Sequence, residues 1–259
     1  MDRPALLHLY DEELRRQAPF FDDAMRLERD GSVVRLVGAT ADAGNNCVLY
    51  SQLDSASAAA AIAQQIDRFR RIGHSFEWKH HDHDQPAELP QLLLASGFVA
   101  GEKEACMAAE LASWHGGTDA PPGYSVRMLS QDEGLDAVAQ VQAAVWPELS
   151  HDWLMQSLLR ERRAQPDAIL FHAIWQGQTP VCVGWTRLHG RIASLFGGST
   201  LAEHRHRGLY RALLTSRLAE AQRRGAELAV IDAGPMSRPI LERLHFALLT
   251  GTTPYHYTV

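Results

Sequence analysis

The stretch Glu203-His204-Arg205-His206-Arg207-Gly208 gathers two arginines, two histidines and a glycine in one short turn, and a helical pattern begins directly after it at Leu209. That grouping suits an anion. A turn that opens a helix presents several backbone N–H groups and the positive end of the helix dipole to one point, and glycine lets the backbone come close to a ligand. Arginines around the same point add charge-assisted donors. The chemistry predicted here is phosphate binding. The turn lacks the glycines and lysine of GxxxxGK[ST] and the spacing of GxGxxG, so nucleoside triphosphate and dinucleotide sites are not expected.

Two other groupings invite chemistry and carry less. The run Lys79-His80-His81-Asp82-His83-Asp84 mixes His with Asp as a metal site does. Alternation along a strand sends neighbours to opposite faces, however, so it reads as a charged strand-to-helix turn and no metal is expected. Cys47, Cys106 and Cys182 lie far apart without CxxC spacing. They are expected as small buried hydrophobes, not as a disulfide framework or zinc site.

The elements around the basic turn follow from periodicity and turn chemistry. The clearest break is 113–123, where Gly, Pro and small polar residues crowd together as a linker. After it come a strand at Tyr124–Leu129 and a helix at Asp132–Trp146, with Ser130 and Glu133 as a capping box and Pro147 as its stop. A second helix covers Asp152–Arg163. Strands follow at Ala168–Trp175, Val181–His189 and Ile192–Thr200, divided by Gln176-Gly177 and His189-Gly190. Leu209–Arg224 has apolar positions near helical spacing and ends at Gly225. Leu228–Ile231 is a short, wholly apolar buried strand, Ser237–Leu244 a short helix, and Leu248–Val259 at most two further strands. The first half echoes this order: a strand at Cys47–Tyr50, an alanine-rich helix at Ser55–Arg71, a strand at Ser75–His80, a helix at Glu88–Ala95 closing on Gly97-Phe98, and a strand at Val99–Leu111.

Strand, Arg205-x-x-Gly208-x-Tyr210, helix, strand, short helix and an aromatic-ended turn together resemble the GNAT acetyltransferase superfamily over Tyr124–Val259. The fold class expected is therefore α/β, an α+β mixed sheet of the GNAT acyltransferase type, in two GNAT-like domains. These are a degenerate 1–112, the linker 113–123 and a CoA-binding 124–259. The family signature is (Arg/Gln)-x-x-Gly-x-(Gly/Ala), and this chain departs from it with Tyr210 in the last small position, so that ring must point away from the pyrophosphate. The resemblance implies acetyl-CoA, or another acyl-CoA, as co-substrate. It is held by Arg205, His206, Arg207, Gly208, Leu209, Tyr210 and Arg211, with Ser199, Thr200 and Leu201 at the end of the preceding strand and Ser237 beyond it. The first half has Ser51-Gln52-Leu53-Asp54-Ser55 where the cradle belongs, with neither Arg nor Gly, and is not expected to bind CoA.

The resemblance also implies direct attack of a primary amine on the thioester without a covalent enzyme intermediate. In this family a bulged strand offers backbone N–H to the acyl carbonyl, and Gly197-Gly198-Ser199-Thr200 matches it; paired glycines suit a bulge. The usual acidic positions on that strand hold Ala193, Ser194, Leu195 and Phe196, so Asp232 becomes the candidate base, or else caps the next helix. The usual acid, a tyrosine on the last short helix, is Leu241 here. Tyr255, with His256 and Tyr257 beside it, could supply the proton or could simply pack.

Composition bounds the rest. With 46% hydrophobic and 22% charged residues and no apolar run near the roughly 20 residues of a membrane span, a membrane association is not expected. The net charge of −6 is uneven, with 11 Lys+Arg against 19 Asp+Glu up to residue 120 and 14 against 12 thereafter. No dense basic face for nucleic acid results, while the second half favours one local anion. The start Met-Asp-Arg-Pro lacks the features of a secretory signal, making a cytoplasmic location the default. The expected partner is a small-molecule amine, with a homodimer left open. A non-catalytic acyl-CoA-binding module is the rival, motivated by Leu241 and the missing strand carboxylate, and an assembly protein docking through its acidic first half is the third reading.

Overall fold

The computed structural model describes residues 1–18, 24–116, 119–129, 131–148 and 151–259. In chain order the elements are α1 (Arg3–Tyr10), a π-helical turn (Asp11–Arg16), β1 (Arg26–Asp30), β2 (Val33–Val37), β3 (Asn46–Ser51), α2 (Ala58–Ile72), β4 (Phe76–His81), α3 (Leu89–Ala95), β5 (Val99–Ala100) and β6 (Glu104–Glu110). There follow β7 (Ser125–Leu129), α4 (Gln131–Val145), α5 (Asp152–Ala164), β8 (Ile169–Gln176), β9 (Thr179–His189), β10 (Ile192–Thr200), α6 (Leu209–Arg223), β11 (Leu228–Ala233), α7 (Arg238–Arg243) and β12 (Ala247–Tyr257). The helix cap expected at Ser130 and the linker residues Gly117 and Thr118 lie outside the described residues.

The chain folds into two compact units, Met1–Met107 with Asp232–Val259, and Ala108–Ile231. These units differ from the expected 1–112 and 124–259 in two places: residues 108–112 fold with the second unit and residues 232–259 with the first. The physical reason for the latter is β12, which lies between β4 and β6 in that unit's sheet, ordered β1-β2-β3-β4-β12-β6. Its antiparallel register sets Tyr255 opposite Trp78 and Tyr257 opposite Phe76. Both tyrosines are thereby buried in a core with Phe69, Phe76, Trp78 and Phe98. Each large side chain removed from water in this way stabilises by about 1.5–3 kcal/mol.

One strand expectation changes within this unit. Val99–Leu111 is divided: β5 pairs with β12, the chain leaves the sheet over Gly101-Glu102-Lys103, and β6 begins at Glu104. Of the two strands at most expected over Leu248–Val259 there is one, β12, which runs through Gly251 and Pro254. Helix α2 buries Ala58, Ile62, Ile66 and Phe69 at helical spacing and stops at Gly73, whose φ of 69° supplies the left-handed cap. The His-Asp run at the end of β4 is an ionic knot that ties down the N-terminal segment. Arg15, 3% exposed, makes a double contact with Asp84 at 2.7 and 2.9 Å, His83 meets Asp11 at 3.0 Å, and Tyr10 hydroxyl meets His81 Nε2 at 3.0 Å.

The second unit has the sheet order β11-β10-β9-β8-β7. Alternation on β8 and β9 divides its core between two faces. Phe171, Ala173, Val183 and Trp185 pack with Ala137, Val138 and Val141 of α4, whereas Ile174 and Cys182 pack with Leu209, Ala212 and Leu213 of α6. The turns Gly177 and Gly190 adopt positive φ, 60° and 50°, as two-residue hairpin connections require. The chain just ahead of the linker is pinned within this unit: Leu111 N–H donates to Glu227 O at 2.8 Å, and Gln222 Nε2 donates to Leu111 O at 2.6 Å.

Candidate active site

The second unit opens its sheet between β10 and β11. These parallel strands pair from Ile192 with Leu228 to Ser194 with Val230, and the register stops there. On its other edge β10 stays paired with β9, but the register shifts between Phe196 and Ser199, which makes a β-bulge at Gly197-Gly198. Gly197 has φ of 62°, and any Cβ on it would overlap the Trp185 ring. Glycine is required at that position by backbone conformation and by space.

The first turn of α6 adjoins this bulge, because the ring of Tyr210 packs on Gly198. Gly208 precedes the helix in the left-handed region at φ 78°, and His206 also has positive φ, 62°, uncommon for a side chain that is not glycine. The first helical bond runs from Ala212 N–H to Gly208 O at 3.0 Å, so the N–H groups of Leu209, Tyr210 and Arg211 lie ahead of the ladder. Arg205, His206, Arg207, Gly208 and Arg211 are exposed and Leu209 is buried. Arg205 Nε donates to Thr200 O at 3.2 Å, and Arg207 Nη2 donates to Glu203 O at 3.2 Å. Ser199 Oγ accepts from Gln142 Nε2 at 3.2 Å and Thr200 Oγ1 donates to Cys182 Sγ at 3.0 Å, so both hydroxyls are engaged within the unit.

Two buried polar side chains grip the bulge from opposite faces. From α4, Gln142 Nε2 donates to Gly197 O at 3.1 Å. From α6, Arg217 donates to the carbonyls of Trp185 and of Phe196, the latter at 3.1 Å, and through Nε to Thr186 Oγ1 at 3.1 Å. Arg217 is fully buried and its Nη1 has no partner among the described residues. Burial lowers its guanidinium to about 10. Beside it, burial and then the Arg217 charge lower His172 to about 3.

No protein-family model matches the sequence, and no curated protein matches it. Solved structures do match. A GCN5-related N-acetyltransferase from Kribbella flavida superposes with TM-score 0.74 at 15% identity, covering 97% of this chain and 94% of that one. A tandem GNAT protein from the clavulanic acid biosynthesis pathway gives 0.66 at 13%, covering 91% and 84%. A GCN5-related N-acetyltransferase from Sphaerobacter thermophilus gives 0.64 at 13%, covering 89% and 82%. The chain has the GNAT fold.

The GNAT-like first unit repeats the parallel pair and then closes it. Strands β3 and β4 pair at Cys47 with Glu77 and Val48 with Trp78. One residue further, Arg15 from the N-terminal π-helical turn donates Nε to Leu49 O at 3.0 Å and lies over the Tyr50 ring at 5.1 Å. The position where the second unit's GNAT sheet opens is thus plugged in the first, a signal that the missing cradle residues alone do not carry.

The remaining sequence candidates fall in the first unit. Asp232, two residues past Val230 on β11, is ion-paired with Lys79. Burial works against the Lys79 ammonium but the Asp232 carboxylate outweighs it and holds Lys79 above its usual range. Ser237 precedes α7 and turns its hydroxyl to Gly234 O at 3.3 Å. Leu241 is fully buried, and Tyr255 is a core aromatic 6.1 Å from the His80 ring. The basic turn, the paired glycines and the α6 N-terminus come together in one GNAT unit; Asp232, Ser237 and Tyr255 belong to the other. Sequence reasoning missed Gln142 and Arg217. Arg217 had a readable signal, a charge four residues after Leu213 and four before Ala221 on the buried stripe of α6.

Proposed function

We propose that the second unit binds an acyl-CoA and transfers its acyl group, acetyl in the first instance, to a primary amine of a small molecule by direct attack in a ternary complex. The observation that carries this reading is the opening of β10 from β11 at a glycine bulge that adjoins the unladdered N–H groups of α6. Those N–H groups, Gly208 in its left-handed conformation and the exposed Arg205 and Arg207 fit a pyrophosphate. Tyr210 fits as well, since its ring is turned onto Gly198 and only its backbone faces the ligand. Bound acyl-CoA would supply an activated thioester carbonyl. The chain's own part is to hold the pyrophosphate, give the carbonyl oxygen a backbone donor from the bulge and remove a proton from the amine. Asp232 is the base in this proposal, acting while Lys79 holds its carboxylate in place. The amine nitrogen bonds to the acyl carbon, the C–S bond breaks, and the thiolate leaves with the electron pair.

The ion pair with Lys79 also favours a second reading, a non-catalytic acyl-CoA-binding module, because the ammonium already occupies a carboxylate oxygen of Asp232. Thiol release from acetyl-CoA against a panel of amines decides between them. Amine-dependent release supports the transferase; tight CoA binding with no release across the panel supports the module, and absence of CoA binding overturns both.

A further inference from the structure

Arg217 is a fully buried cation that meets no carboxylate among the described residues, although burying an unpaired charge is costly. What it does meet is the bulge. Its guanidinium lies against Gly184 of β9, where a Cβ would stand 2.7 Å from Nη1, and one Nη2 serves the carbonyls of Trp185 and Phe196 together. Those two residues face each other in the β9–β10 register, the last pair before the shift. The turn at Gly190-Arg191 makes His189 and Ile192 a hydrogen-bonded pair, and alternation along an antiparallel ladder then makes Phe196 and Trp185 one too. Phe196 O therefore faces β9. In a trans peptide the carbonyl and the following N–H point opposite ways, so Gly197 N–H faces away from β9, into the opening between β10 and β11. Gln142 fixes the next peptide by holding Gly197 O at 3.1 Å.

We infer that Arg217 is a positioning residue for acyl transfer: by holding the Phe196 carbonyl toward β9, it aims the Gly197 N–H at the place where the acyl carbonyl oxygen would lie. This rests on the acyl-CoA reading of the site. It accounts for a cation that otherwise has no counter-charge, for the absence of a side chain at Gly184, and for a bulge whose two carbonyls are held by separate helices. Phe196 with Trp185 is the last ladder pair before the shift, so Arg217 adds a second donor to a carbonyl at the frayed end of that ladder, and a donor must be preorganised to stabilise an oxyanion. The positive charge behind the strand strengthens the same donor in surroundings of low dielectric.

The test uses the full chain with acetyl-CoA labelled with carbon-13 at the carbonyl, and needs no acceptor. In the wild type a hydrogen bond from Gly197 should move the bound carbonyl resonance downfield of free acetyl-CoA. In Arg217→Met it should return most of the way to the free position, while CoA affinity by calorimetry stays within about twofold, since the α6 N-terminus is untouched. Gly184→Ala, which crowds the guanidinium without removing it, should give the same loss, and Arg217→Lys, which keeps charge but not the fork, should not restore the shift. A wild-type resonance that does not move on binding, or equal displacement in the wild type and the variants, overturns the inference and leaves the acyl-CoA reading standing. Failure of the wild type to bind acetyl-CoA at all overturns that reading and the inference with it.

Discussion

Tyr210 Cε2 lies over Gly198 so closely that a Cβ built on Gly198 would stand 2.6 Å from it. This one contact fastens the first turn of α6 to the bulge of β10, and it explains how a tyrosine occupies a position where the GNAT signature has a small residue. The ring is drawn down onto a backbone that lacks a side chain, and burial raises its phenol above the ordinary range.

The pair should therefore be energetically coupled. Gly198→Ala is expected to lower both melting temperature and CoA affinity, and adding Tyr210→Ala should recover part of each loss. Residues in contact show interaction energies of about 0.5–3 kcal/mol in a double-mutant cycle. Strictly additive costs would show that the two positions are independent.

Gly208 supplies the left-handed residue ahead of α6, with φ of 78°. Gly208→Val should weaken CoA binding by at least tenfold, about 1.4 kcal/mol. Gly225→Val is the control, because Gly225 has φ of 89° at the other end of the same helix and open space around its Cα. Backbone strain alone predicts equal stability losses in both variants, whereas the binding role predicts that only the Gly208 variant loses affinity by calorimetry.

For Asp232 the prediction separates chemistry from binding. Asp232→Asn should leave CoA affinity nearly unchanged and lower amine acylation about a hundredfold, the size typical of losing a positioned base. It also strands Lys79, so Asp232→Asn with Lys79→Met should regain stability without regaining rate. Turnover that recovers with stability would assign Asp232 a structural part only.

His172 links stability to acid. It is 1% exposed with Nδ1 unpartnered, and its folded value of about 3 lies below the unfolded one near 6.5. Between those values the unfolded chain binds the extra proton and the folded chain does not, so stability falls as pH falls from about 6.5 towards 3. The slope for this one group is about 1.4 kcal/mol per pH unit. His172→Gln should flatten urea-denaturation stability over that window by this amount relative to wild type; parallel curves would contradict the assignment.

Residues 1–112 should not fold alone, since they lack β12, the strand between β4 and β6 that brings Tyr255 and Tyr257 into the aromatic core. Calorimetry of that fragment should show no cooperative transition. Supplying 232–259 as a covalent fusion after residue 107 should restore one.

The sequence by itself determined the local grammar of the second unit. Ile192–Thr200 has the same bounds in the sequence and in the structure, and Leu209–Arg223 ends one residue before the expected Arg224, because alternation, helical spacing and glycine turns are written in neighbouring residues. The basic turn ahead of α6 was legible for the same reason, since its basic residues, its glycine and the helix it opens are contiguous. Tertiary structure alone decided the rest. The destination of β12, Lys79 as the partner of Asp232 and Arg15 as the plug beside Leu49 are contacts between residues 153 or 34 positions apart, or more. Sheet pairing and ion pairing at such separations depend on where whole elements pack, which periodicity does not encode. Arg217 falls between the two: its place on the buried stripe is in the sequence, but the Trp185 and Phe196 carbonyls it bridges come side by side only once β9 and β10 have paired.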